Sequence, residues 1–259
     1  MDKPSRIKER LYYAVDIRLQ SPLCVSSGEK DFSDKDVIQN AEGEVFVPGT
    51  SLAGAFRNYM DKKKQQDSSF GYSSDEEGRM SSIFISDLYF EQKKNEVRRC
   101  IRDGVQLTDE KSVINKFDMQ VIETGAEGTF YVECVEREND VENNRETIQK
   151  VLIALQNGEI RLGASKNRGY GKLEILAVRY SSFSSEQLSE WLEFRKQERD
   201  RKDSWNKPED EKKGQNREED TNKDYYKEVY SSYQEWRDSL HTDIEPKYIT
   251  VRVPLKLEG

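Results

Sequence analysis

Apolar and polar residues alternate most clearly from Leu11 to Leu19, which predicts a first strand ended by Ser21 and Pro22. Val37-Ile38 and Val45-Phe46-Val47 flank the turn-forming run Asn40 to Gly43 and predict a short hairpin that passes through Pro48 and Gly49 into a helix. In that helix Leu52, Phe56 and Tyr59 share one face, Thr50 or Ser51 can cap it, and Ala53, Gly54 and Ala55 keep its first turn slim. Residues 64–80, rich in Ser, Gln, Asp and Gly, read as a mobile loop, 81–90 as a second strand and 129–135 as a third. Residues 144–157 predict a helix with Ile148, Val151, Leu152 and Leu155 on its buried face, stopped by Gly158. Segments 160–162 and 172–178 flank a glycine-rich loop as a last strand pair. The order strand, helix, strand, strand, helix, strand is a ferredoxin-like split βαβ arrangement, an α+β fold.

The character changes after Ser184, which forms a capping-box pattern with Gln187. Leu188, Trp191 and Leu192 then give a narrow apolar stripe, and the chain becomes almost wholly charged, with 203–222 reading as disordered. Tyr226, Val229, Tyr230, Tyr233 and Trp236 fit one face of a second amphipathic helix. Residues 248–259 resemble the opening strand. The expected organisation is a domain over 1–182, a charged helical extension over 183–245, and an extra strand or the start of a second module over 246–259.

Composition narrows the chemistry. Hydrophobic residues make up 34% and charged residues 36%, enough for a core in part of the chain only. No apolar run approaches a membrane span, so the expected setting is the cytoplasm. Cys24, Cys100 and Cys134 are far apart, which fits a reducing compartment and excludes a Cys-x-x-Cys zinc site. His241 is the single histidine, so histidine triads and paired-histidine ribonuclease chemistry are excluded. The net charge of −8, split evenly between residues 1–180 and the remainder, opposes a general nucleic-acid binder. Basic residues nevertheless cluster at 62–64, at 93–102, and at Lys166 with Arg168.

The strand-to-helix turn over 47–57 points the opening helix amides outward beside one or two hydroxyls, with Arg57 further in. Phosphate would suit it, and so would the role of an ordinary corner. Two further stretches accompany it, Arg102-Asp103-Gly104-Val105 and the loop Gly163 to Gly171, which contains Lys166, Asn167, Arg168, Gly169 and Tyr170. In this order the three resemble the RAMP superfamily of CRISPR proteins, and more narrowly the repeated backbone subunit of type III RNA-targeting effector complexes. The resemblance covers roughly residues 10–180.

That resemblance implies an RRM-like core with an inserted hairpin, the thumb, over about 105–120. It implies binding of guide RNA (crRNA) through Gly49, Thr50, Ser51, Arg57, Arg102, Lys166, Asn167, Arg168, Gly169 and Tyr170. Metal-dependent cleavage of target RNA would fall to Asp34, which would either hold Mg²⁺ or another divalent cation or accept the proton of the attacking 2′-hydroxyl, with Asp36 and Asp31 as neighbouring candidates. Implied partners are guide and target RNA, other RAMP subunits and a large polymerase-like subunit. Read alone, three aspartates in a polar loop are usually just solvated residues, which leaves a non-cleaving RAMP scaffold open. A ferredoxin-like interaction module without RNA is a further reading.

Overall fold

The computed structural model describes residues 6–26, 28, 33–62, 68–73, 78–90, 97–107, 113–138, 140, 143–205 and 226–240. Asp31, residues 206–222 of the stretch expected to be disordered, and the expected strand over 246–259 lie outside them.

The opening alternation becomes β1 (Ile7–Leu19), whose odd-numbered residues Leu11 to Leu19 are buried on one face. β1 is the middle of an antiparallel sheet, with β10 (Leu173–Ser184) on one side and β9 (Glu127–Arg137) on the other. β9 also pairs with β5 (Ile83–Ile85) and β6 (Leu88–Phe90), and β6 pairs with β2 (Phe46–Val47). Helix α1 (Gly49–Lys62) lies between β1 and the β5/β6 pair in sequence, and α2 (Asn144–Gln156) lies between β9 and β10. Taking β1, β5/β6, β9 and β10 as first to fourth strands, the sheet order is fourth, first, third, second. This is the ferredoxin-like split βαβ arrangement predicted above.

Both helices pack on the odd face of β1. Leu52, Phe56 and Met60 of α1 and Ile148, Val151, Leu152 and Leu155 of α2 join Val15, Ile17 and Phe130 in one core. Asn143 caps α2 by accepting from the Glu146 amide at 3.1 Å, and Gly158, at φ 74°, follows its end.

The expected strand over 81–90 is broken at Ser86-Asp87. Ser86 Oγ accepts from the Tyr131 amide at 2.9 Å and Asp87 accepts from the Gly49 amide at 2.7 Å, so this pair is spent on pinning α1 to the sheet. The expected loop over 64–80 contains ordered parts, β3 (Tyr72–Ser73) paired with β4 (Gly78–Arg79), because Phe70 is buried in the core and Arg79 meets Asp140 at 2.6 Å. Between 226 and 236 the structure has β11 (Glu228–Tyr230) on the edge of β10, then a short α4 (Tyr233–Ser239) capped by Ser232, where one helix was expected.

The outer face of the sheet is also covered. Helix α3 (Leu188–Trp205) lays Trp191 and Phe194 on Tyr12 and Phe183, with the Trp191 indole N–H donating to the Tyr12 hydroxyl at 2.7 Å. Burial pushes the Tyr12 phenol up to about 12. The inward positions are therefore 191, 194 and 198, whereas Leu188 and Leu192, expected to face inward, are 57% and 55% exposed.

The glycine-rich loop is tightly built. Gly163 and Gly171 have φ of 72° and 75°, and a Cβ would come within 2.2 Å of the Cys24 carbonyl oxygen at the first and 1.9 Å of the Leu162 carbonyl oxygen at the second. Gly171→Ala should lower the melting temperature by about 5 °C or more. Thermal unfolding followed by circular dichroism checks this, and an unchanged midpoint would show that the loop yields.

Candidate nucleic-acid interface

Between β6 and β9 the chain makes a two-stranded hairpin of its own, β7 (Arg99–Leu107) with β8 (Val113–Ile122). An isolated hairpin is marginal in water, so its base must be anchored. Met119 and Val121 supply the anchor by packing with Cys24, Cys100, Phe117, Ala164 and Tyr170. Leu23 and Ile122 exchange backbone hydrogen bonds at 2.9 and 2.8 Å. Elsewhere on the hairpin, Ile101, Val105 and Ile114 are 51%, 43% and 58% exposed. The hairpin starts earlier than the expected 105–120, taking in part of the basic segment over 93–102.

The Asp34 loop lies against this hairpin. The exposed Asp34 carboxylate accepts from the Asp118 amide at 3.1 Å, and the next carbonyl, that of Lys35, accepts from Gln120 at 2.9 Å. Asp36 is buried instead, at 6% exposed, and accepts from the Ser33 hydroxyl at 2.6 Å. Of the two, only Asp34 can meet a ligand in solution.

Asp118 faces Asp103 across the hairpin. Its carboxyl is held above the ordinary value of 3.8, by partial desolvation first, then by Asp103, with Asp34 adding a further share. The folded chain therefore binds this proton more tightly than the unfolded one. The resulting stabilisation is full below pH 3.8 and is lost as pH rises through the folded value. Asp118→Asn should raise the melting temperature at neutral pH, with a gain that vanishes in acid below about pH 4. A pH series of thermal melts checks the sign.

The glycine-rich loop reaches the hairpin from the other side in sequence. Ala164 donates to the Cys24 carbonyl at 2.8 Å and Gly171 to that of Pro22 at 2.8 Å, which leaves Lys166, Asn167, Arg168 and Gly169 exposed on a single turn. The Arg168 guanidinium lies 3.5 Å from the Val105 carbonyl and 5.7 Å from the centre of the Phe117 ring. Tyr170 is partly buried and packs against the cluster of Cys24, Met119 and Val121. Arg102 sits on the hairpin, paired with Glu123 at 2.7 Å. That carboxylate is held low by the Cys100 thiol and by Arg102.

At the leading end of α1 the Gly49 amide is already taken by Asp87, and a Cβ on Gly49 would lie 2.2 Å from the Ile85 carbonyl oxygen. Gly49 thus serves close packing of helix on strand. Thr50, Ser51, Gly54 and Arg57 form the exposed face, with Arg57 3.8 Å from Asp61. This end of α1 is joined to the glycine-rich loop through intervening extended segments, in which Ile38 bonds to Val25 and Phe46 to Ile38. The structure brings Asp34 and Lys166–Arg168 to one hairpin base, with the α1 face further along. Because α3 covers Tyr12 and Phe183, the aromatic sheet face is closed to base stacking, and the exposed polar groups lie at the loops.

Three residues at this base drew no role from the sequence: Gly104, Phe117 and Asp118. Gly104 opposes Phe117 across the hairpin, and the pairing that joins them is set by register. A glycine inside a strand-like stretch was the one available sign.

For a divalent cation the donors at hand are carboxylate oxygens, which suit a hard ion. Among the described residues no three His, Cys, Asp or Glu side chains gather in a ligand cluster. Mg²⁺ commonly takes one or two carboxylates and completes its shell with water and phosphate, so Asp34 fits as one such ligand.

These features define a ferredoxin-like α+β protein with an inserted hairpin, at whose base a carboxylate-bearing loop meets a glycine-rich basic one. The chain belongs to the RAMP superfamily, whose sequence profile matches residues 16–174. Among solved structures it is similar to a chain in the cryo-EM structure of the type III-B Cmr-beta bound to cognate target RNA. The match has a TM-score of 0.51 at 14% identity and covers 68% of this chain. The chain spans 61% of the length of that solved chain. Among curated proteins none matches. No helix among the described residues is long and apolar enough to cross a membrane.

Proposed function

We propose that this RAMP protein is a backbone subunit of a type III CRISPR effector complex, which binds guide RNA and cleaves the complementary target RNA. The observation that carries the reading is the meeting of Asp34 and the Lys166–Arg168 turn at the base of the hairpin. The RAMP membership and the likeness of fold to a type III-B chain support it. In this reading the partners are crRNA, target RNA, further RAMP subunits and the large polymerase-like subunit.

Lys166 and Arg168 neutralise phosphates, Asn167 and the backbone around Gly169 allow close approach, and Thr50, Ser51 and Arg57 extend the track. Sequence is read by guide–target pairing, so the protein holds only backbone and shape. Exposed Ile101, Val105 and Ile114 let the hairpin enter between stacked pairs and turn a target nucleotide out of line. Asp34 accepts the proton of the attacking 2′-hydroxyl as that oxygen attacks the adjacent phosphorus and the 5′-oxygen leaves, taking a proton from water. In the alternative role Asp34 would hold a divalent cation, which when bound would neutralise charge at the scissile phosphate.

The test uses the full chain purified with its complex. RNA of uniform length should co-purify, and labelled complementary target should be cut when Mg²⁺ is added. Absence of bound RNA overturns the reading, and RNA without cutting reduces it to a scaffold.

A further inference from the structure

Lys35 and Arg168 come from loops about 130 residues apart in sequence, yet both cations lie over the same ring. Lys35 Nζ is 5.8 Å and the Arg168 guanidinium carbon 5.7 Å from the centre of Phe117. Phe117 owes its place to Gly104 opposite it on the hairpin. A Cβ on Gly104 would come within 2.4 Å of the outer edge of the ring, so a side chain there would push Phe117 away. Each loop is tied to the hairpin by its own hydrogen bond, Asp34 to the Asp118 amide and Arg168 to the Val105 carbonyl.

Two like charges brought toward one point repel, and an aliphatic side chain would do nothing to offset that. An aromatic ring does, because its quadrupole presents negative potential to a cation. We propose that Phe117, seated on Gly104, is a positioning residue that holds Lys35 and Arg168 at a set spacing, so that both meet one RNA backbone beside Asp34. The inference rests on the RNA-binding reading above. It adds that the two loops act as one basic site because a ring joins them. It also gives Gly104 a reason that turn geometry does not supply, since Gly104 lies within β7.

The test compares the full-length chain with Phe117→Leu and Phe117→Tyr, using a labelled oligouridylate of about 20 nucleotides, in line with the length of a guide heteroduplex. Leucine keeps the apolar packing and removes the ring; tyrosine keeps both. Phe117→Leu should hold its melting temperature and bind RNA about tenfold more weakly, with a shallower dependence on salt. Phe117→Tyr should match the parent chain. Lys35→Ala and Arg168→Ala should be coupled in the parent and additive once Phe117→Leu is also present. Should Phe117→Leu fail to fold, Gly104→Ala, which displaces the ring without deleting it, should show the same weakened binding. Unchanged affinity in Phe117→Leu or Gly104→Ala, or a Phe117→Tyr variant as weak as Phe117→Leu, overturns the positioning role while leaving RNA binding intact. A parent chain that binds no RNA overturns the RNA-binding reading itself, and the positioning role with it.

Discussion

Replacing Asp34 by alanine should stop target cutting at this subunit's site, by a factor of about 10² to 10⁴, while the assembled complex keeps its full load of guide RNA. The separation follows from where Asp34 stands. Its carboxylate is exposed and has a hydrogen bond to the Asp118 amide, so its loss removes a reactive oxygen pair and about 1 kcal/mol of structure. The Lys166–Arg168 turn is built by Gly163 and Gly171 and by the bonds of Ala164 to Cys24 and of Gly171 to Pro22, none of which involves Asp34. Asp36→Ala is the informative companion. Asp36 is buried and accepts from Ser33, so its removal should lower the melting temperature by loosening the loop and impair cutting only as a consequence. The measurement is single-turnover cleavage of labelled target with Mg²⁺, beside the RNA content of the same preparations. If Asp34→Ala cuts at the parental rate, while Asp36→Ala keeps its melting temperature and does not cut, the reactive carboxylate is Asp36.

What could be read from the chain divides along a physical line. β1, α1 and α2 were legible because each buries a face whose periodicity is local, as in Leu11 to Leu19 or Ile148, Val151, Leu152 and Leu155. The stretch from Tyr226 to Trp236 misled because its aromatic spacing fits a helix equally well. Its real organisation depends on β10 offering an edge to Glu228–Tyr230, and on Ser232 starting a new helix, and the first of these is a long-range fact. The phase of α3 departs from its local apolar pattern for the same reason. Trp191 and Phe194 were selected by Tyr12 and Phe183, which are distant in sequence, at the expense of Leu188 and Leu192.

The candidate site shows the same division. Asp34 and Lys166 to Arg168 stand in spaced motifs whose order survives in a single sequence. The pairing of Gly104 with Phe117, the approach of Asp118 to Asp34, and the capture of the Gly49 amide by Asp87 exist only once the register and the sheet are in place. The last changes how the leading end of α1 can act. With its first amide committed to a carboxylate, a phosphate there must rely on Thr50, Ser51 and Arg57, so this end contributes less than a bare helix terminus would.

That shift makes Arg168 the side chain on which RNA retention should depend most. Arg168→Glu should weaken binding by about 30- to 100-fold at moderate salt, since the substitution deletes one phosphate contact and sets a carboxylate against the same phosphate. The plot of log affinity against log salt should also flatten, by about 0.7 for the lost contact on single-stranded RNA and more for the added repulsion. Folding should be little affected: Arg168 is exposed, its bond to the Val105 carbonyl is long at 3.5 Å, and the loop's shape is held by Gly163 and Gly171. Arg57→Glu, on the α1 face, should cost less, because Arg57 already stands 3.8 Å from Asp61 and its charge is partly answered within the helix. Filter-binding titrations at three or four salt concentrations, with melting temperatures measured in parallel, decide the order. Equal losses at the two positions would mean that RNA runs along α1 as closely as past the hairpin base. An unchanged Arg168→Glu would remove the glycine-rich loop from the RNA path, leaving Asp34 without a substrate held beside it.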